Sequence, residues 1–517
     1  MGAQAIATRA PGALKGDLVE TFDSALSHDL VFAMVGHAGS GPTWVATALA
    51  EELKARKYTP VVVEVSKLIE TTAAELGLPS VRLDGSGKPL PRPELLQNAG
   101  DELRCTYGRR IAAALAVRRI AELRKTAPQG ATPAFIIDSL KNPEEVEALR
   151  DVYGNSLYVV SVLCRESIRR NRLMLKHKSE GPEFIARLIA RDSSGGSDDG
   201  QQVRKTVHLG DFFIVNERRD KTELAQALTR FIEIVAGSGV VRPTVDERGM
   251  YAAWGAALRS SCLSRQVGAA ILDIHGNQIA TGMNDVPRSG GGLCEEGDEE
   301  DRRCFASKGK QETGHCRNDV AKVDIYAKVF KALQGANLLA SGASAAAVQK
   351  AIETTRVRDL VEFSRAVHAE MDAITSVARF GGPSVRGALL YCTTFPCHAC
   401  ARGIIAAGIS QVVYIEPYPK SLALALHKDA ITEKRPKPDE KSPKVWFRLF
   451  SGVAPHRFAA LFEKKRDLKD ETGRFLPRAA DCATHNDPIF SKSHLDFERE
   501  ITELLSVAFN KSRVAGS

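Results

Sequence analysis

His368-Ala369-Glu370, followed downstream by Pro396-Cys397-His398-Ala399-Cys400, places three zinc-type ligands and one carboxylate within a short stretch of chain. His368, Cys397 and Cys400 would fill three of the four tetrahedral positions on Zn²⁺, leaving the fourth for water. Zinc lowers the pKa of a bound water from ~16 to about 7, which makes a nucleophile available at neutral pH. Glu370 is the proton carrier in this reading, not a ligand; such transfer is worth ~10²–10⁴-fold. A lone C-x-x-C would read equally as a redox pair or as a fragment of a structural zinc knuckle. The upstream His-x-Glu, and the strand and proline before the first cysteine, select the open, water-activating site.

The flanking residues predict the elements that hold these groups. Val361 to Val367 leads into His368, and Met371 to Ala378 continues with helical spacing. Leu389 to Thr394 reads as a strand and Ala399 to Ala407 as a second helix. Cys397 and Cys400 then sit at a helix N-terminus, whose positive end favours thiolates. Upstream, Ser264 to Leu272 and Gln278 to Asn284 read as hairpin strands around the turn His275-Gly276-Asn277. The pattern H-x-E…P-C-x-x-C is the signature of zinc-dependent nucleobase deaminases. It points to water attack on an amino-bearing ring carbon and departure of ammonia.

From about Arg248 to Phe462 the chain resembles the deoxycytidylate deaminase branch of the cytidine and deoxycytidylate deaminases. Besides the metal motif, the likeness lies in the hairpin ending at Asn284, in Glu416-Pro417-Tyr418-Pro419-Lys420-Ser421, and in Val445 to Pro455. It implies a free deoxycytidine nucleotide as substrate and Asn284 against the sugar. The plain alternative is a loop-forming Asn beside Asp285. Arg265 and Tyr418 are further candidate substrate contacts. Tyr418 and Lys420 read as neighbours of base and phosphates, or simply as surface residues. The whole chain resembles the bacterial anti-phage dCTP deaminases, which join a P-loop kinase-like domain to a deoxycytidylate deaminase-like domain. That resemblance implies deamination of dCTP, often also of dCMP, depletion of dCTP in defence against phage, and assembly into a homo-oligomer.

The N-terminal half carries a damaged phosphate loop. Leu30 to Val35 reads as a buried strand, Gly36-His37-Ala38-Gly39-Ser40-Gly41-Pro42-Thr43 as a glycine loop, and Val45 to Leu53 as a helix. Gly36, Gly39, Gly41 and Thr43 are the candidate nucleotide contacts. Pro42 stands where the motif requires lysine; proline suits the first helical turn, but the charge that reaches the phosphates is lost. Ala134 to Asp138 has the form of a strand ending in the acid of such sites. Arg165, Arg169, Arg170 and Arg172 read either as a basic lid or as a solvated helix face. Without the lysine, phosphoryl transfer is the weakest reading of this half. A regulatory domain for a nucleotide or an RNA comes first, a bare scaffold second.

Cys294, Cys304, His315 and Cys316 fall in a polar insert and suggest a second, structural zinc, or else free thiols in a reducing cytosol. The fold class expected is α/β: an N-terminal P-loop NTPase/kinase-like parallel sheet plus a C-terminal cytidine deaminase-like α/β/α sandwich. Expected boundaries are an extension at 1–27, the kinase-like domain at 28–236, a linker at 237–247, the deaminase domain at 248–465 with its insert at 286–355, and a tail at 466–517.

Composition bounds the rest. The 517 residues suffice for two or three domains, and a hydrophobic content of 44% supports real cores. Lys and Arg exceed Asp and Glu by 71 − 63 = 8, which suits phosphate-bearing substrates. No apolar run reaches the length of a membrane span, and the ten cysteines, several grouped with histidine, fit metal binding in the cytoplasm. Two other functions compete: a housekeeping dCMP deaminase with a nucleotide regulatory site, and an RNA- or ssDNA-binding editing module. The latter needs a basic, aromatic-lined channel, and the 6% of aromatic residues show no such clustering.

Overall fold

The computed structural model describes residues 30–78, 87–126, 128, 132–194, 198–298, 302–305, 314–418, 420–437, 443–464 and 467–476, and positions 495, 498, 499, 502 and 506. The expected N-terminal extension and most of the tail lie outside these. The chain forms two compact units: Met1–Arg242 with Ser451–Ser517, and Pro243–Phe450.

The first unit is built on parallel strands β1 (Leu30–Gly36), β2 (Thr59–Glu64), β3 (Pro133–Leu140), β4 (Leu157–Leu163) and β5 (Phe212–Val215), in the spatial order β5-β4-β1-β3-β2. Every residue of β1 and β4 is buried, as continuous apolar runs in a sheet covered on both faces require. Helix α1 (Pro42–Ala55) follows the glycine loop, with Pro42 in its first turn. Helices α2 (Glu166–Lys176) and α3 (Gly181–Ser193) follow β4. From β1 the chain moves to one side of the sheet and from β4 to the other. The crevice at their carboxyl ends is therefore a topological switch point, where open α/β sheets take ligands.

In the second unit, α4 (Val245–Ala257) opens on a capping box between Thr244 and Glu247. Strands β6 (Gly268–Leu272) and β7 (Gln278–Met283) form the expected hairpin, and Ser264 to Val267 stays outside it as a loop. Helix α5 (Arg317–Gly335) lies in the insert. Helix α6 (Ala369–Phe380), β8 (Leu389–Thr394), α7 (His398–Ala406) and β9 (Gln411–Glu416) follow, then β10 (Ile431–Thr432) and β11 (Val445–Leu449). The sheet runs β10-β11-β9-β8-β6-β7, parallel from β10 to β8 and antiparallel thereafter.

Two glycines show why this is a sandwich. A Cβ at Gly268 would overlap the backbone of Ala253 in α4, and one at Gly282 the backbone of Ala369 and Ala373 in α6. Gly282 pairs with Ala269, the residue next to Gly268, so the two glycines face opposite sides of the sheet. One helix lies against each face, pressed close enough to exclude a methyl group. Gly282→Ala must push away the helix that begins beside His368. Overpacking of this kind costs ~1–3 kcal/mol. Thermal unfolding is expected to show a midpoint lowered by roughly 2–12 °C; an unchanged midpoint would show that α6 gives way freely.

The expected end of the deaminase domain at 465 moves to Phe450. Beyond it, β12 (Gly452–Val453) pairs antiparallel with β5 in the sheet of the first unit. Ala454 N donates to Asp211 O at 2.8 Å, and Val453 and Leu461 join the core around Phe32, Tyr158, Phe212 and Phe231. Burial of these apolar residues, invisible to local pattern, assigns the segment to that unit. Among the described residues no helix is long and apolar enough to cross a membrane.

Candidate active site

Each ligand is placed by the start of a helix. His368 is the N-cap of α6, with φ −77° and ψ 150°. The helical lead-in expected from Val361 is absent, because Val367 N donates to Asp285 O at 2.9 Å and holds the segment in an extended bridge. Cys397 is the N-cap of α7, and Cys400 N approaches its Sγ at 3.5 Å. Two helix N-termini thus converge, both stabilising negative charge.

His368 Nδ1 lies 3.3 Å from Cys397 Sγ and 3.3 Å from Cys400 Sγ. Zinc at 2.0–2.1 Å from nitrogen and 2.3 Å from sulfur in a tetrahedron separates N from S by about 3.6 Å. The three ligand atoms lie within 4.8 Å of one another, the only such group of His, Cys, Asp or Glu among the described residues. Donor type and spacing therefore fit zinc. Cys397 is drawn down to about 4 by its hydrogen bond with Cys400, against burial and with help from His368. The same bond, together with burial, pushes Cys400 up. A dication among them favours thiolate at both sulfurs.

Glu370, 3% exposed, sits in the first turn of α6. Burial pushes its carboxyl up, and the His368 charge pulls the other way. Both effects suit a group that alternately takes and releases a proton.

A cavity of about 320 Å³ opens onto these groups, lined by His368, Glu370 and Cys397, by Phe395, and by Arg265, Asn284, Lys322, Tyr418 and Lys420. Asn284 Oδ1 accepts from Val267 N at 2.7 Å and its Nδ2 donates to Arg265 O at 2.8 Å. The amide thereby fixes the turn that walls the cavity. Arg265 pairs with Glu416 at 2.7 Å and Lys420 with Asp359 at 3.0 Å. Burial raises the Tyr418 phenol.

The sequence reading missed Asn318 and Lys322. They reach the cavity from the first turns of α5, in the insert that had been assigned only to a second zinc. Their spacing of four residues on a helix was the available signal, since it puts both on one face.

The second zinc set is not gathered. Cys294 is buried, with its N–H on Val286 O at 2.9 Å. Cys316 caps α5 with Sγ 3.7 Å from Ser264 Oγ, whereas His315 is exposed. No three of these four ligand atoms lie within 4.8 Å of one another, so these residues as arranged do not form a common ion site.

In the first unit the predicted loop residues come together. Gly39 and Gly41 have φ of 83° and 88°, open to glycine at little cost. Asp138 lies inside β3, not at its end, and accepts a hydrogen bond from Thr43. Three of the four arginines are tied to other segments of the first unit. Arg165 forks onto Glu217 at 2.5 and 2.8 Å, Arg169 donates to Ala38 O, and Arg172 donates to Asn216 O and Glu217 O. Arg170 pairs with Glu166 at the surface.

Residues 243–416 match the family model described as the cytidine and deoxycytidylate deaminase zinc-binding region. ComE operon protein 2 of Bacillus subtilis is 47% identical over 55 residues, a match that spans 11% of this chain and only 29% of that protein. A solved structure of the dCMP deaminase from cyanophage S-TIM5, in complex with dCMP and dUMP, aligns with 40% of this chain and 98% of that chain, at 18% identity and a TM-score of 0.23. The deoxycytidylate deaminase of Enterobacteria phage T4 is 30% identical over 162 residues, covering 31% of this chain and 72% of that protein. With the motif, the sandwich and this extent of shared sequence in agreement, the chain belongs to the cytidine and deoxycytidylate deaminase family.

Proposed function

We propose that the second unit deaminates free deoxycytidine nucleotides, dCTP and also dCMP, to deoxyuridine nucleotides. The observation that carries this reading is one cavity that joins the His368–Cys397–Cys400 triad and Glu370 to the cations Arg265, Lys322 and Lys420. Bound at the triad, zinc supplies a water whose pKa is near 7. The Glu370 carboxylate takes a proton from that water and passes it to the ring nitrogen. As the water oxygen bonds to the amino-bearing carbon, Glu370 takes the second proton from that new hydroxyl and gives it to the amine as the C–N bond breaks, so cytosine and water become uracil and ammonia. Phe395 offers a ring against which a base can pack. The Asn284 amide, with one N–H still unused, and the Tyr418 hydroxyl face the sugar side, and the three cations suit phosphates.

The name of the T4 relative favours dCMP as the second reading. Preference for dCTP, and depletion of that nucleotide in phage defence, rest on the fusion of this unit to an α/β unit with a glycine loop. In that arrangement the first unit is regulatory, not a kinase, since Pro42 removed the phosphate-binding lysine. The test is product formation by purified protein from dCTP, dCMP, deoxycytidine and cytidine. Uracil product from dCTP and dCMP is expected. Turnover of dCMP alone would establish the second reading, and no product from any nucleotide would remove both.

A further inference from the structure

The glycine loop lost its lysine at Pro42, yet an ammonium group stands against it. Lys141 follows β3, and its Nζ lies 2.9 Å from Gly36 O and 2.8 Å from Asp192 Oδ1. Asp192 belongs to α3 and is 1% exposed. Its other oxygen accepts from Ala38 N at 2.9 Å and contacts His37 Nδ1 at 3.1 Å. A carboxylate on a glycine-loop amide, paired with a lysine, receives the bonding that such loops give to a phosphate oxygen. Burial alone would raise the Asp192 carboxyl; Lys141 and His37 together hold it well below the usual range.

Three other buried atoms at the loop have no hydrogen-bond partner: Ser40 Oγ, Asn216 Oδ1 and Arg169 Nε. Their residues are 0%, 3% and 6% exposed. Ser40 Oγ turns inward, 2.5 Å from where a Cβ at Gly36 would lie. Asn216 Nδ2 donates to Ser40 O at 2.7 Å, and Arg169 reaches Ala38 O at 3.3 Å, so both side chains flank the same turn. Each buried bond left unmade is a cost to the folded state. Of these, the Ser40 hydroxyl and the Arg169 N–H are donors that a ligand's oxygens can take up, whereas Asn216 Oδ1 accepts; the loop lies at the switch point of the sheet and before a helix whose first turn carries no acid.

We propose that this loop binds the polyphosphate of a nucleoside triphosphate, with Lys141 supplying the charge lost at Pro42 and Asp192 acting as an internal placeholder that the phosphate displaces. Displacement frees α3 from His37 and Ala38, which gives the first unit two states, loop-bound and loop-free. The binding site is independent of the deaminase chemistry; only its regulatory role rests on the reading of this unit given above.

Calorimetric titration of the full-length, zinc-loaded protein with ATP in Mg²⁺, and separately with inorganic tripolyphosphate, tests it. Saturable binding of both is expected. Lys141→Met should weaken it at least tenfold, and Asp192→Asn, which keeps the shape but loses the competing charge, should tighten it severalfold. Circular dichroism establishes that each variant is folded. Should Lys141→Met not fold, the direction of the Asp192→Asn change decides. No binding by either the natural protein or Asp192→Asn at millimolar ligand would overturn the proposal and leave a purely structural ion pair. Equal affinity in Lys141→Met would also overturn it. Binding that leaves the deamination rate unchanged would instead remove the regulatory reading and leave the site standing.

Discussion

Glu370→Gln is expected to retain zinc and lose turnover by ~10²–10⁴-fold or more. The substitution keeps the shape and most of the packing of a side chain that is 3% exposed in the first turn of α6. The carboxylate is hydrogen-bonded to the Cys400 thiol but supplies no ligand atom itself, so metal content measured by elemental analysis should match that of the natural protein. The amide can neither accept the proton of water nor return one to the leaving amine. The loss should therefore fall on kcat, with KM for the nucleotide nearly unchanged. Full activity would show that the proton passes through another group. Loss of zinc along with activity would show that the carboxylate supports the ligands and not the proton transfer.

Cys400→Ala should separate the other way, losing metal and turnover together. Cys400 is 2% exposed and 3.3 Å from His368 Nδ1, and its removal leaves two ligands where three converge. Zinc sites of this kind contribute to folding, because the cation binds the folded arrangement and not the open chain. Zinc should fall from stoichiometric to a small fraction, and thermal unfolding should move to lower temperature, as chelation of the natural protein should also do. The contrast with Glu370→Gln is the informative result, since each variant removes one function of the same cavity. Retention of stoichiometric zinc in Cys400→Ala would sink the ligand assignment. Two equivalents of zinc in the natural protein would revive the set at Cys294, Cys304, His315 and Cys316, which the fold does not bring together.

What the sequence by itself determined is what short-range spacing encodes. Cys397 and Cys400 are three residues apart at a helix start, and Glu370 follows His368 by two, so the local chain fixes their relative directions. The hairpin of β6 and β7, the strand β8 and the glycine loop were legible for the same reason: turn residues and apolar runs act over a few positions. Tertiary structure alone decided the rest. It brought His368 within 3.3 Å of cysteines some thirty positions away, through packing of α6 against β7 at Gly282. The insert, read as a zinc loop, became the helix that carries Lys322 into the cavity. Lys141 and Asp192, about fifty residues apart, met at the glycine loop, and Val453 returned across the length of a whole unit to pair with Phe212. Such contacts arise from burial and long-range pairing, whose partners are set by the shape of the assembled core and leave no periodic trace in the chain.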